Sequence, residues 1–138
     1  GADDLDRVRG AYAKRSVTHE VFAFTKEMER YYALSDVVIA RAGATTIFEL
    51  AFYQKAAILI PYPYSAGNHQ WQNAAHVEEA GGCYLIGNDK ATGERLFGVI
   101  GQLMKDRPLM EEMGRNLEKI FVHDAASRII GGMEHGLS

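Results

Sequence analysis

Cysteine is nearly absent from the chain. Cys83, inside "GGCYLIG", is the only one, so no disulfide can close within the chain, and the expectation is a reducing, cytoplasmic setting. Charge of one sign is equally scarce. Fifteen Lys and Arg stand against eighteen Asp and Glu, a formal charge of -3, and their even scatter supplies no basic stripe for a phosphate backbone, so nucleic acid is not an expected partner. Long apolar runs are missing too, which argues against a membrane span. The opening "GADDLDRVRG" has neither the basic start nor the apolar core of a signal peptide. Neither internal repeats nor low-complexity segments occur. No His/Cys cluster has ligand spacing, so neither a metal nor a cofactor is expected. What remains is 138 residues, 47% of them apolar, the length and composition of one globular domain.

Its apolar residues fall into alternating periods. "DDLDRVRGAYAKR" sets Leu5, Val8 and Tyr12 at helical spacing behind first-turn acids, predicting a surface helix. "HEVFAF" predicts a short strand, and "TKEMERYYALSD" a helix with Thr25 as N-cap and Met28, Tyr31, Tyr32 and Leu34 on its buried face. "VVIA" is too short and too apolar for anything but a buried strand, and the turn "RAGA" leads into helical "TTIFELAFYQ". "AAILIPY" is a further strand, stopped by Pro61 and Pro63; "SAGNHQ" is a polar loop, "WQNAAHVEEAG" a helix closed by glycine, and "CYLI" another strand. From "TGERLFGVIGQLMK" onward the chain is helical throughout, with Thr92 and Arg95 as an incomplete capping box and Pro108 in a first turn. Strands apolar on both faces, alternating with helices, imply an α/β fold with a parallel sheet covered on both sides, the doubly wound class. Tyr31, Tyr32, Phe52, Tyr53 and Trp71 stand at helical spacing beside apolar neighbours and are expected to pack. The chain opens on a helix where this fold leads with a strand and a phosphate-binding turn. The expectation is therefore one domain over 1–138, incomplete at its N-terminus.

In open α/β sheets ligands lie beyond the carboxyl ends of the strands. There, Gly43 is expected to let the backbone turn sharply, so that the free amides of Ala44, Thr45 and Thr46 open a helix suited to phosphate oxygens. An ordinary capped helix fits the same residues. One turn beyond Thr45, Glu49 faces either water or the crevice, where its carboxylate would accept from the two hydroxyls of a ribose. Gln70 offers a donor and an acceptor to sugar hydroxyls, with His69 and Asn73 close enough to orient it, although taken singly each of the three better suits a cap or surface role.

The run "RAGATTIFEL…ILIPYPY…HQWQNA", preceded by "FAFTKEMERYYALSDVV" and followed by "GGCYLIG", resembles the MurG-type N-acetylglucosaminyltransferases over nearly the whole chain. The resemblance implies the C-terminal, donor-binding half of a two-domain GT-B glycosyltransferase built from two Rossmann-like halves, lacking its first strand. It also implies roles: Thr25, beside Phe24, for uracil; Gly43, Ala44, Thr45 and Thr46 for the diphosphate; Glu49 for ribose; Gln70, with His69, for the N-acetylglucosamine hydroxyls. Where relatives often carry Asp before the His-Gln pair, this chain has Asn68, which removes a charged contact to the sugar.

The function so implied is transfer of N-acetylglucosamine from UDP-GlcNAc to a lipid-linked muramyl pentapeptide, at the inner face of the bacterial membrane. No catalytic residue is expected in this chain, since the base and the acceptor site would lie in the N-terminal half, and His19, His76, His123 and His135 sit in unrelated segments. A diacylglycerol galactosyltransferase type of enzyme and a non-catalytic nucleotide-sugar module are the alternatives. A homodimer through an open sheet edge, or through a C-terminal face bearing Ile129, Ile130 and Met133, is a further expectation.

Overall fold

Three short apolar segments become strands by pairing in parallel; the central one, Ala56–Leu59, is buried on both faces, whereas Val37–Ala40 is only half-buried, with Ile39 exposed. The computed structural model describes residues 2–135, with side chains for residues 3–121. The chain divides into two units, Gly1–Tyr31 and Tyr32–Ser138. In the first, helix α1 (Leu5–Ala13) is followed by irregular chain up to helix α2 (Met28–Leu34), which runs across the boundary.

The second unit holds β1 (Val37–Ala40), α3 (Ala44–Phe52), β2 (Ala56–Leu59), α4 (His69–Glu79), β3 (Cys83–Leu85), α5 (Gly93–Lys105) and α6 (Arg107–His135). The sheet order is β1-β2-β3, all parallel, with Val37 opposite Ala56 and Ala57 opposite Cys83. Alternation along β2 sends Ala57 and Leu59 to one face, against Leu50, Val77 and Leu117, and Ala56 and Ile58 to the other, against Val99, Leu103 and Met113. Helices thus cover both faces, as the doubly wound expectation required. Each fully buried leucine among these adds about 1.5–3 kcal/mol of burial.

Local rules account for the element ends. Gly81, at φ 74°, closes α4: the Gly82 amide reaches the Val77 carbonyl at 2.9 Å and the Gly81 amide that of Glu78 at 2.8 Å. Thr92 caps α5 by accepting from the Arg95 amide at 3.2 Å, and Asp106 does the same for α6 through the Leu109 amide at 3.0 Å.

Three expectations are corrected. "HEVFAF" forms no strand; a strand needs a ladder partner, and here the Val21 carbonyl takes the Arg9 guanidinium instead, at 3.3 Å. Thr25 is not the N-cap of α2, which begins only at Met28. Its hydroxyl accepts from the Glu27 amide at 3.1 Å, making a side-chain turn just ahead of the helix. His69 and Gln70 belong to α4 rather than to the loop before it, because left-handed Gly67 and Asn68, at φ 55° and 56°, complete the turn earlier. The expectation of helix from there onward holds from Gly93: α5 is followed directly by α6, a single 29-residue helix. The side chains of His123, Ile129, Ile130, Met133 and His135 lie outside the described residues.

Where α6 crosses the α3–β2 connection, Gly114 permits the close approach: a Cβ there would overlap the Gln54 carbonyl. Backbone cannot swing aside as a side-chain tip can. Gly114→Ala is expected to cost about 2 kcal/mol or more, measured by urea denaturation against the parent chain; an unchanged midpoint would contradict the packing.

Candidate functional site

Arg41, the first residue after β1, ties the carboxyl ends of the sheet together. Its Nη1 donates to the Ile60 carbonyl at 3.1 Å, the Pro61 carbonyl at 3.3 Å and Asn88 Oδ1 at 2.8 Å, and its guanidinium lies 5.7 Å from the Tyr62 ring centroid. One side chain therefore fixes the exits of β1, β2 and β3 relative to each other. Arg41, Ala40, Ile60 and Asn88 line a cleft of about 410 Å³ at this edge.

Beside it begins α3. The first bond into the helix runs from the Ile47 amide to the Gly43 carbonyl at 3.0 Å, and no side chain caps the end. The amides of Ala44, Thr45 and Thr46 are therefore left without an intrahelical acceptor. Gly43 itself corrects its expected role: at φ −69° and ψ 147° it occupies extended backbone open to any residue. Its missing Cβ instead keeps space clear, the nearest atom to such a carbon being Thr46 Oγ1 at 3.9 Å.

Glu49 stands four residues beyond Thr45 on the same face. Neither fully solvated nor free, its Oε2 accepts from the Tyr32 hydroxyl at 2.9 Å. The Tyr32 ring stacks on Tyr53 with centroids 5.4 Å apart.

The start of α4 contributes two half-buried carboxamides whose orientation their partners decide. Gln70 Oε1 accepts from the Tyr62 amide at 2.9 Å, leaving Nε2 to donate outward. Asn73 Nδ2 donates to the Ala42 carbonyl at 3.1 Å, leaving Oδ1 to accept. The Gln70 amide in turn donates to Ser65 Oγ at 3.3 Å. Asn73 thus joins the second turn of α4 directly to the residue before Gly43, bringing the two predicted loops together. His69 is exposed at the head of α4. Thr25 belongs to the first unit, where its hydroxyl accepts from the Glu27 amide.

Sequence reasoning passed over Arg41, Tyr32, Ser65 and Asn88. Arg41 carried one signal, a cation at the carboxyl end of an apolar strand; Tyr32 and Asn88 carried none, because their partners lie 17 and 47 residues away, and Ser65 read only as part of a polar loop, though its partner Gln70 is close by. Trp71, expected to pack, lines a second cleft of about 470 Å³ with Leu85, Gly87, Lys90 and Arg95. Among the described residues no three His, Cys, Asp or Glu side chains gather as a metal site.

Burial, and then the hydrogen bond to Glu49 and its charge, push the Tyr32 phenol up to about 12 from 10.0. A folded pKa above the unfolded one means that the folded state holds the proton longer. The resulting stability is whole below pH 10 and is lost as pH rises from there to about 12. Urea denaturation between pH 8 and 11.5 should show the parent chain losing stability more steeply than Tyr32→Phe above pH 10; parallel curves would count against the bond.

Residues 1–129 match the glycosyltransferase family 28 C-terminal domain. The chain is 38% identical, over 94% of its length, to the UDP-N-acetylglucosamine--N-acetylmuramyl-(pentapeptide) pyrophosphoryl-undecaprenol N-acetylglucosamine transferase of Syntrophotalea carbinolica, covering 37% of that protein. To the protein of the same name from a Geobacter species it is 37% identical, over 96% of this chain and 36% of that one. It spans little more than a third of these relatives. The crystal structure of Acinetobacter baumannii MurG superposes with a TM-score of 0.77 at 29% identity, over 86% of this chain and 35% of that one. With a parallel sheet covered on both faces, a bare helix start at its carboxyl edge and a family match over almost the entire length, the chain belongs to the glycosyltransferase family 28 C-terminal domain family.

Proposed function

We propose that this chain is the donor-binding part of an inverting glycosyltransferase that moves N-acetylglucosamine from UDP-GlcNAc to a lipid-linked muramyl pentapeptide. One observation carries the reading: the uncapped amides of Ala44, Thr45 and Thr46 share a helix with Glu49 and are joined through Ala42 to the carboxamide of Asn73. Phosphate oxygens suit such amides, which carry the positive end of the helix dipole. As the glycosidic bond to the diphosphate breaks, negative charge grows on the departing UDP, and fixed N–H groups stabilise it without reorganising. The Glu49 carboxylate would accept from ribose hydroxyls, Gln70 with His69 and Asn73 would hold the sugar, and Thr25 would serve the uracil. The base that deprotonates the acceptor is assigned to no residue of this chain. The acceptor is taken to lie in a membrane reached from its cytoplasmic face; no helix among the described residues is long and apolar enough to cross one.

In the full-length protein, Glu49→Ala should weaken UDP-GlcNAc binding by roughly 1–3 kcal/mol, the range for charge-assisted hydrogen bonds. Calorimetry decides it, and an unaltered affinity would remove Glu49 from the ribose. Among donors, UDP-GlcNAc should be turned over in preference to UDP-galactose. A reversed preference would favour the galactosyltransferase reading, and binding without turnover of either a module that only binds.

A further inference from the structure

A glutamate on a helix surface normally samples several rotamers, and any ligand that uses it must freeze them. Glu49 is held already. Its Oε2 takes the Tyr32 hydroxyl at 2.9 Å, and Tyr32 is itself immobilised: it is 5% exposed, and its ring lies on Tyr53 with 16° between the planes. The end of α2 that carries it is pinned by the Lys55 ammonium, which donates to the Ala33 carbonyl at 3.3 Å and the Ser35 carbonyl at 3.0 Å. We infer that Tyr32 is a positioning residue for nucleotide binding: its hydroxyl holds one oxygen of the Glu49 carboxylate so that the other is presented to a ribose hydroxyl.

A phenol suits this task better than a cation. An Arg or Lys at the same place would also orient the carboxylate, but its charge would neutralise the acceptor that the sugar needs. A neutral donor leaves the negative charge in place and spends only one lone pair. The inference rests on the reading of Glu49 as a ribose ligand, and the experiment is arranged so that the two can fail separately.

Affinities of the full-length protein for UDP and for 2′,3′-dideoxy-UDP, which lacks both ribose hydroxyls, are measured by calorimetry in the parent, Tyr32→Phe, Glu49→Ala and the double variant. Tyr32→Phe keeps the ring and its stacking. It should weaken UDP roughly fivefold, since the carboxylate remains but must now be ordered by the ligand itself, while leaving 2′,3′-dideoxy-UDP within about twofold; added to Glu49→Ala it should cost nothing more. Equal losses for both nucleotides would reveal a merely structural role and overturn the inference, as would parent-like UDP binding by Tyr32→Phe when Glu49→Ala is impaired. An unimpaired Glu49→Ala would remove the ribose reading itself. Glu49→Asp leaves the tyrosine intact but draws the carboxylate back by one methylene, so it should reproduce the ribose-dependent loss. If Tyr32→Phe does not fold, Lys55→Ala, which frees the end of α2 that carries Tyr32, decides: weaker UDP binding with 2′,3′-dideoxy-UDP unchanged supports the inference, and equal affinities of variant and parent for UDP overturn it.

Discussion

Every α-helix begins with backbone amides that its own hydrogen-bonding pattern cannot satisfy. At the head of α3 the protein leaves them so: Gly43 brings no side-chain cap, and the space beside it is clear. The rest of the second unit can be understood as a frame around that unsatisfied end. Parallel strands set α3 at the carboxyl edge of the sheet, Arg41 fixes the strand exits, and Asn73 clamps the residue that precedes the turn. Removing the frame would leave an ordinary polar helix start facing water.

The frame is built largely from polar contacts to backbone carbonyls. Arg41 reaches two of them, Lys55 two more and Asn73 another. Carbonyls at strand and helix ends lie outside the regular ladders, and a side-chain donor that satisfies them also sets the geometry of the loop. Apolar burial places the sheet between its helices; these longer-range bonds then determine the shape of its carboxyl edge. The two contributions are separable, since the buried residues of β2 lie before Ile60 and Pro61, where Arg41 takes hold.

Legibility in the sequence followed the range of the interaction. Short apolar strands, the glycine closure of α4 and the free amides of α3 depend on residues within a turn of one another, and each could be read directly. The strand expected at "HEVFAF" could not be checked locally, because a strand exists only through a neighbour elsewhere in the chain. Gly43 does precede α3 as its place in the chain implies, but its backbone is extended rather than glycine-specific, and the clear space beside it is something a sequence does not display. The bond between Tyr32 and Glu49 spans 17 residues and that between Arg41 and Asn88 spans 47, distances over which spacing rules say nothing.

The two carboxamides at the head of α4 have a consequence for selectivity. A free glutamine or asparagine is ambivalent, able to rotate and offer either N–H or oxygen. Here each has one end spoken for by the backbone, Gln70 its oxygen and Asn73 its nitrogen. Three positions apart on one helical face, they present a hydrogen-bond giver followed by a taker, a polarity settled before anything arrives. If the two hold a sugar as proposed, its hydroxyls, which can each donate or accept, would do the adjusting, and a guest with a fixed donor facing Gln70 and a fixed acceptor facing Asn73 would be the one turned away.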